Sequence, residues 1–178
     1  NNYSDILLNY YIASSYNSCA CGVYQNTYVS LDPLITVIKQ GARVLDFEIY
    51  VINNQLMIGC SNDTSPFYKE SYNAVALSDA FDKINIYAFT AGSAPNPNDP
   101  LFINLRIKTN KKWIYDEKSP QGTTLFELIT KKFNQRLTDK IYGFGGQQIN
   151  NIRGEKVNMQ YSNIFRLPLK SPKVQNKV

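Results

Sequence analysis

Histidine is absent from all 178 residues of this chain, and this absence excludes more functions than any other feature of the composition. Histidine is the only side chain whose unperturbed pKa lies between about pH 5 and pH 8, so it is the usual proton donor and acceptor of enzymes. Catalytic triads built on histidine and zinc sites that need imidazole ligands are therefore excluded. Catalysis by this chain would have to use carboxylates, lysine or cysteine.

Cysteine is scarce, and long apolar segments are missing. The three cysteines, Cys19, Cys21 and Cys60, are an odd number, which argues against a secreted disulfide framework and favours a reducing compartment. A metal site built from them would lack a fourth ligand, so we interpret them as free thiols. No stretch reaches the roughly 18 apolar residues of a membrane span, and no signal peptide opens the chain. We therefore expect a soluble protein.

The chain is basic, with a formal net charge of +5 and a pI of about 9.0. Its lysines and arginines are dispersed, so we interpret them as solubilising surface and expect no nucleic-acid partner; an anionic phospholipid surface is the alternative. The length and the 43% hydrophobic content fit a single domain over residues 1–178. Because the sequence starts without Met and stops abruptly, we expect a fragment of a longer chain that continues past Val178.

Strand and helix patterns alternate along the chain. The patterns predict strands over 10–13, 43–51, 55–58 and 101–107, and helices that begin at Asp32–Pro33, after a Ser78 cap and at a Thr124–Glu127 capping box. Between the second and third strands, Asn53–Asn54 predicts a tight hairpin turn, because Asn tolerates positive φ. Apolar and acidic residues alternate over 43–51, which places Asp46 and Glu48 on one face. Strands that alternate with helices indicate a parallel α/β sheet.

Four motifs follow one another along the chain: YIASSYNS at 11–18, GARVLDFEIY at 41–50, QLMIGC at 55–60 and PLFINLR at 100–106. In this order they resemble the X region of phosphatidylinositol-specific phospholipase C, over nearly the whole chain. That region is the first half of a TIM-type barrel, with active-site groups at the C-terminal ends of strands. The resemblance therefore implies an α/β half barrel here. It also implies a partner, the remainder of the barrel, in the same chain or in another one.

The resemblance also assigns two positions to catalysis. In eukaryotic members of the family one histidine follows the Ser-Ser pair and another follows the hairpin, and both serve in cleavage of the phosphodiester. Tyr16 and Ile58 occupy these positions here. Isoleucine cannot transfer a proton, and tyrosine, with a reference pKa of about 10, is a poor base at neutral pH. We therefore expect no catalytic residue at either position.

The family holds calcium with an Asn, two carboxylates on the second strand and a carboxylate on the third. The matching residues here are Asn17, Asp46, Glu48 and Arg106. Because arginine pairs with carboxylates in bidentate geometry, we hypothesise that Arg106 replaces the metal in a vestigial pocket, and we expect no calcium and no other cofactor. Two alternatives remain open: Asp46 and Glu48 are outward residues of an edge strand, and Tyr16 is a packed core aromatic.

The loss of both histidines and one carboxylate favours a catalytically inactive domain, a pseudoenzyme that acts as a scaffold, structural component or binding module with protein partners. The alternative is a phosphodiester hydrolase with a rearranged site, in which Asp46 or Glu48 is the base and Arg106 stabilises the developing charge. Asparagine, isoleucine, lysine and tyrosine are abundant, as in proteins from AT-rich genomes. From this composition we expect a component of a large DNA virus, located in the cytoplasm or the virion.

Overall fold

The computed structural model describes residues 9–23, 26–62, 68–109, 113–116, 119–137 and 140. The strands are β1 (Ser14–Ser15), β2 (Val44–Ile52), β3 (Gln55–Gly59), β4 (Val75–Ala76), β5 (Phe102–Ile107), β6 (Trp113–Asp116) and β7 (Ser119–Thr124). The helices are α1 (Leu31–Lys39), α2 (Leu77–Tyr87) and α3 (Leu125–Leu137). Residues 141–178 lie outside the described part, so the expected continuation of the domain past Val178 stays a prediction.

Strand β2 is the centre of a five-stranded mixed sheet. It pairs in parallel with β1 and β5 and antiparallel with β3, and β4 pairs with β3. The prediction of a parallel sheet is therefore correct only for β1, β2 and β5, because a two-residue turn after β2 forces β3 to run back beside it. The strand predicted over 10–13 is wrong, since pairing with β2 begins only at Ser14.

The hairpin turn between β2 and β3 is confirmed. Asn53 and Asn54 both have positive φ, at 49° and 59°. A two-residue turn with two positive φ values matches the right-handed twist of the strands that it joins, and Asn is among the residues that tolerate this conformation.

The N-cap of helix α1 lies two residues before the predicted start at Asp32–Pro33. Ser30 is the N-cap, with an extended backbone, and its Oγ accepts a hydrogen bond of 3.2 Å from the Asp32 N–H. A start at Asp32–Pro33 would make Asp32 the N-cap, and this prediction is therefore wrong. Asp32 lies inside the first turn, where its carboxylate interacts favourably with the positive end of the helix dipole.

The sequence predicts the start of α3 correctly but not the start of α2. The predicted Ser78 cap of α2 is wrong, because β4 passes directly into the helix at Ala76, which makes no side-chain capping bond. The capping box of α3 is confirmed. The Thr124 N–H donates to Glu127 Oε2 at 3.0 Å, and the Glu127 N–H donates to Thr124 Oγ1 at 3.2 Å.

The core lies between the sheet and the helices. Helix α2 contacts α1, α3, β3 and β4, so the helices form one layer over the sheet. Buried residues of this core include Leu34 and Ile38 of α1, Leu45, Phe47 and Ile49 of β2, and Phe81 and Ile84 of α2. The sheet curls into half of a TIM-type barrel, which confirms the predicted fold class. Within the described ranges, no helix has the length and apolar character needed to cross a bilayer.

Candidate functional site

The acidic face of β2 lies beside β5. In their parallel register, Asp46 is the partner of Asn104 and Glu48 is the partner of Arg106. Side chains at paired positions project to the same face of a sheet, so these four groups meet. The alternative that Asp46 and Glu48 are outward residues of an edge strand is wrong, because β2 has neighbours on both sides and these residues are 6% and 0% exposed.

Arg106 forms a bidentate ion pair with Asp46 through one edge of its guanidinium. Its Nη2 lies 2.7 Å from Asp46 Oδ1, and its Nε lies 3.1 Å from both carboxylate oxygens. Charge-assisted hydrogen bonds of this kind are about twice as strong as neutral ones, and the paired geometry fixes the orientation of both groups.

Arg106 also bonds to Glu48 of β2 and to Asn17, which follows β1. Nη1 donates to Glu48 Oε1 at 2.8 Å, and Nη2 donates to Asn17 Oδ1 at 2.6 Å. The structure therefore brings together all four residues that the sequence assigns to one pocket. We call Asn17, Asp46, Glu48 and Arg106 the Arg106 cluster.

Asn17 is positioned by the turn that follows β1. Its φ of 45° lies in the left-handed region, which Asn tolerates, and its N–H donates to Asp46 Oδ1 at 3.2 Å. The next residue extends the pairing of β1 with β2, because the Ser18 N–H donates to the Asp46 main-chain oxygen at 2.9 Å and Ser18 Oγ accepts from the Asp46 N–H at 3.1 Å. These bonds hold the Asn17 amide beside the carboxylate.

Tyr16 covers the guanidinium of Arg106. The Arg106 Cζ lies 4.3 Å from the centroid of the Tyr16 ring, a cation–π contact. The alternative of a packed core aromatic is wrong, since Tyr16 is 48% exposed. Ile58, at the other position that the family gives to histidine, is buried in the core at 1% exposure.

Sequence reasoning missed three residues that support the carboxylates. Asn104 Nδ2 donates to Asp46 Oδ2 at 2.6 Å. Asn104 stands two residues before Arg106 on β5, so the period of two in a strand places both residues on the same face, although it does not show the bond to Asp46.

Glu48 receives two hydroxyl groups at its second oxygen. Tyr50 Oη donates to Glu48 Oε2 at 2.7 Å, and Ser61 Oγ donates to the same atom at 2.8 Å. Tyr50 shares a strand face with Glu48, which is again a signal of period two. Ser61 gives no such signal, because its approach depends on the return of the chain through β3.

The charge of Arg106 is stable over the ordinary pH range. Burial alone would lower the pKa of the guanidinium, whose side chain is 22% exposed. The hydrogen bonds and charge of Asp46, together with the charge of Glu48, outweigh this effect and raise the pKa above its usual value.

The three cysteines are free thiols, as the sequence predicts; Cys19 and Cys60 are buried and Cys21 is exposed. Burial, followed by the negative charge of Glu48, raises the pKa of the Cys60 thiol from 9.0 to about 12, although the positive charge of Arg106 opposes the shift. Burial likewise raises the pKa of Cys19. In the described part of the chain, no group of three or more cysteine and acidic residues has the geometry of a metal site.

A sequence model of one protein family matches residues 3–140, and the description of that family is phosphatidylinositol-specific phospholipase C, X domain. The chain belongs to this family. The resemblance noted in the four sequence motifs is thus confirmed, and the Arg106 cluster lies in a phospholipase C X domain.

Solved structures with this fold include two proteins named PLC21, from S. officinalis and from L. pealei. The crystal structure of S. officinalis PLC21 matches with a TM-score of 0.55 and 18% identity, over 76% of this chain and 14% of that chain. The crystal structure of L. pealei PLC21 matches with a TM-score of 0.57 and 16% identity, over 80% of this chain and 15% of that chain. At these identities the likeness shows the fold alone. No curated protein matches the sequence.

Calcium, which the phospholipase C family implies, does not fit the Arg106 cluster in this arrangement. The oxygens of Asn17, Asp46 and Glu48 that would ligate the ion already accept hydrogen bonds from Arg106 or from the supporting residues. A calcium ion would also have to sit beside a guanidinium that carries charge of the same sign. The chemistry of this donor set matches an arginine, while the absence of bound calcium in solution stays a prediction.

Proposed function

We propose that this X domain does not hydrolyse phosphodiesters and acts as a scaffold or binding module. The observation that carries the proposal is the Arg106 cluster, in which a guanidinium takes the oxygens that the family gives to its metal. The two positions that the family gives to histidine support it further. Ile58 has no ionisable group, and the Tyr16 ring rests against Arg106.

In this proposal Arg106 is a counter-ion built into the chain. It neutralises part of the charge of Asp46 and Glu48. Without a counter-ion, these two buried carboxylates would destabilise the fold. It also joins the turn after β1 to β2 and β5 through contacts with Asn17, Asp46 and Glu48. A divalent cation is then not needed to link the turn after β1 with β2 and β5.

The alternative, a hydrolase with a rearranged site, needs a free base. Both oxygens of Asp46 and both oxygens of Glu48 accept hydrogen bonds, and Arg106 contributes to the set on each carboxylate. Because every carboxylate oxygen of the pair already accepts a hydrogen bond, neither Asp46 nor Glu48 has an oxygen placed to take a proton from an attacking nucleophile. The contacts therefore support the non-catalytic role.

The partner that we propose is the second half of the barrel, supplied by the same chain or by another one. This chain spans only 14% and 15% of the two phospholipase chains that it matches. Among the strands that the structure describes, β5 pairs with β2 only, and a further strand paired with its other edge would continue the barrel. An anionic lipid surface and a place in a virion rest on the basic charge and the AT-rich composition alone.

The test is hydrolysis of a fluorogenic inositol phosphodiester, with added calcium and with a chelator, on the longest chain that folds. An active phospholipase C serves as the positive control, and circular dichroism verifies the fold. The proposal predicts no turnover above the blank in either condition. Turnover that is lost in Arg106→Ala and retained in Arg136→Ala, a matched change at an exposed ion pair with Asp82, would establish the rearranged hydrolase instead.

A further inference from the structure

A buried arginine lies at the N-terminal end of β2. Arg43 immediately precedes the strand and is 3% exposed. Among the residues that the structure describes, no carboxylate forms an ion pair with it. Its Nη1 donates to the Ala88 main-chain oxygen at 2.8 Å, and its Nη2 donates to the Asn96 main-chain oxygen.

The end of helix α2 supplies part of the compensation for this charge. Ala88 is the C-cap of α2, and the last carbonyls of a helix carry the negative end of its dipole. Burial lowers the pKa of Arg43 to about 10, and the charge of Asp99 opposes the shift. The guanidinium is therefore still protonated at neutral pH.

Two polar atoms of this contact are left over. Arg43 Nε and Asn96 Oδ1 are both buried, and neither has a hydrogen-bond partner among the residues that the structure describes. The Asn96 amide is oriented by its Nδ2, which donates to the Gly41 main-chain oxygen at 3.4 Å, so exchanging the amide oxygen and nitrogen would lose a bond. Buried polar atoms of native proteins almost always have a partner.

We propose that the contact between Arg43 and Asn96 binds one water molecule, which accepts a hydrogen bond from Arg43 Nε–H and donates one to Asn96 Oδ1. The chemistry of the two atoms selects this ligand, because one is a donor and the other is an acceptor. A halide ion can accept from Arg43 but cannot donate to Asn96, and a metal cation cannot accept from Arg43. Water does both, and buried waters commonly bridge such pairs.

This site goes beyond the proposed function, since it lies away from the Arg106 cluster. The water links Asn96, in the segment after α2, to Arg43 at the start of β2. The bound water completes the hydrogen bonding of a charged group that has no carboxylate partner in the described part of the chain.

Crystals grown from the full chain in sodium bromide test the identity of the ligand. We expect an electron-density peak within about 2.7–3.2 Å of both Arg43 Nε and Asn96 Oδ1, without an anomalous bromide signal. A bromide peak at this position would show an anion site and overturn the proposal. So would density in which Arg43 Nε bonds directly to protein with no water between.

A solution measurement supplies the second readout. We expect a cross-peak between water and the Arg43 Hε proton in rotating-frame NMR spectra of the wild type and of Asn98→Leu, a change at an exposed position of the same segment. Asn96→Leu removes the acceptor, so the cross-peak should disappear and the folding equilibrium constant should fall about tenfold further than in Asn98→Leu. A missing cross-peak in the wild type, or equal losses in the two variants, would contradict the proposal. If Asn96→Leu does not fold, the wild-type spectrum decides.

Discussion

At the scale of single residues, Arg106 has the largest set of polar contacts in the described part of the chain. It donates to Asp46, Glu48 and Asn17, and its cation faces the Tyr16 ring. A buried ion pair adds little compared with an apolar replacement of all its members, but removing one member leaves uncompensated charge. The cost of losing Arg106 should therefore come mainly from the two carboxylates that remain.

Arg106→Ala should lower the free energy of unfolding by about 3 kcal/mol, because Asp46 and Glu48 lose their cation while they stay buried. Urea denaturation at neutral pH measures the change. The matched control is Arg136→Ala, since Arg136 pairs with Asp82 at 3.1 Å with both side chains more than one-third exposed. An exposed pair of this kind contributes less than about 1 kcal/mol. Equal losses in the two variants would show that the carboxylates do not need Arg106.

The Cys60 thiol should make the fold sensitive to alkaline pH. Its pKa is raised from 9.0 to about 12 on folding, so its contribution is fully present below the lower value and is lost as pH rises toward the upper one. Between pH 8 and pH 10, the wild type should lose about 1 kcal/mol more stability than Cys60→Ala. Urea titrations at both pH values test this. Cys21→Ala removes an exposed thiol, so this variant should lose as much stability between the two pH values as the wild type does. Equal losses in the wild type and in both variants would show that the Cys60 thiol is not the cause.

At the scale of elements, the turn between β2 and β3 places two asparagines in the left-handed region. Asn54→Ala should cost about 1 kcal/mol, because a Cβ without a compensating polar group is strained there. Asn54→Gly should be neutral or slightly stabilising, since Asn-Gly is the preferred pair for this turn. Thermal unfolding of both variants gives the comparison. If alanine and glycine had the same effect at position 54, backbone strain would not be the cause.

The capping box of α3 gives a second prediction for a single element. Thr124→Ala removes the oxygen that accepts from the Glu127 N–H and should cost about 1 kcal/mol of unfolding free energy. Thr124→Ser keeps that oxygen and should retain most of the stability. The two variants are compared by urea denaturation, and a serine variant as unstable as the alanine variant would rule out the capping bond as the reason.

Local patterns predicted the elements better than their first residues. The period of two in β2 correctly placed Asp46 and Glu48 on one face, and the Asn53–Asn54 turn was correct because its signal is contained in two residues. The start of α1 was predicted two residues too late, because Ser30 and Asp32 are both good caps and the sequence does not show where the extended chain ends. The start of α2 was missed because β4 runs into it without a cap.

At the scale of the whole molecule, the contact between Arg106 and the carboxylates depends on the register of β5 against β2. Periodicity cannot fix the register of strands that are more than 50 residues apart in sequence, and here the family resemblance supplied it. Ser61 remained unpredicted because its approach to Glu48 depends on the return of the chain through β3. The half barrel itself was implied by the resemblance of the four motifs to the family, and the family match over residues 3–140 confirms that resemblance.

Calorimetric titration of calcium into the wild-type chain tests most directly whether Arg106 stands in place of the metal. The account predicts no saturable heat at millimolar calcium, because the oxygens of Asn17, Asp46 and Glu48 are already bound by Arg106. Binding of one calcium ion per chain that is lost in Asp46→Asn, in a sample shown to be folded, would contradict it. The Arg106 cluster would then have to open to admit a metal, and hydrolysis would again be a plausible activity of this X domain.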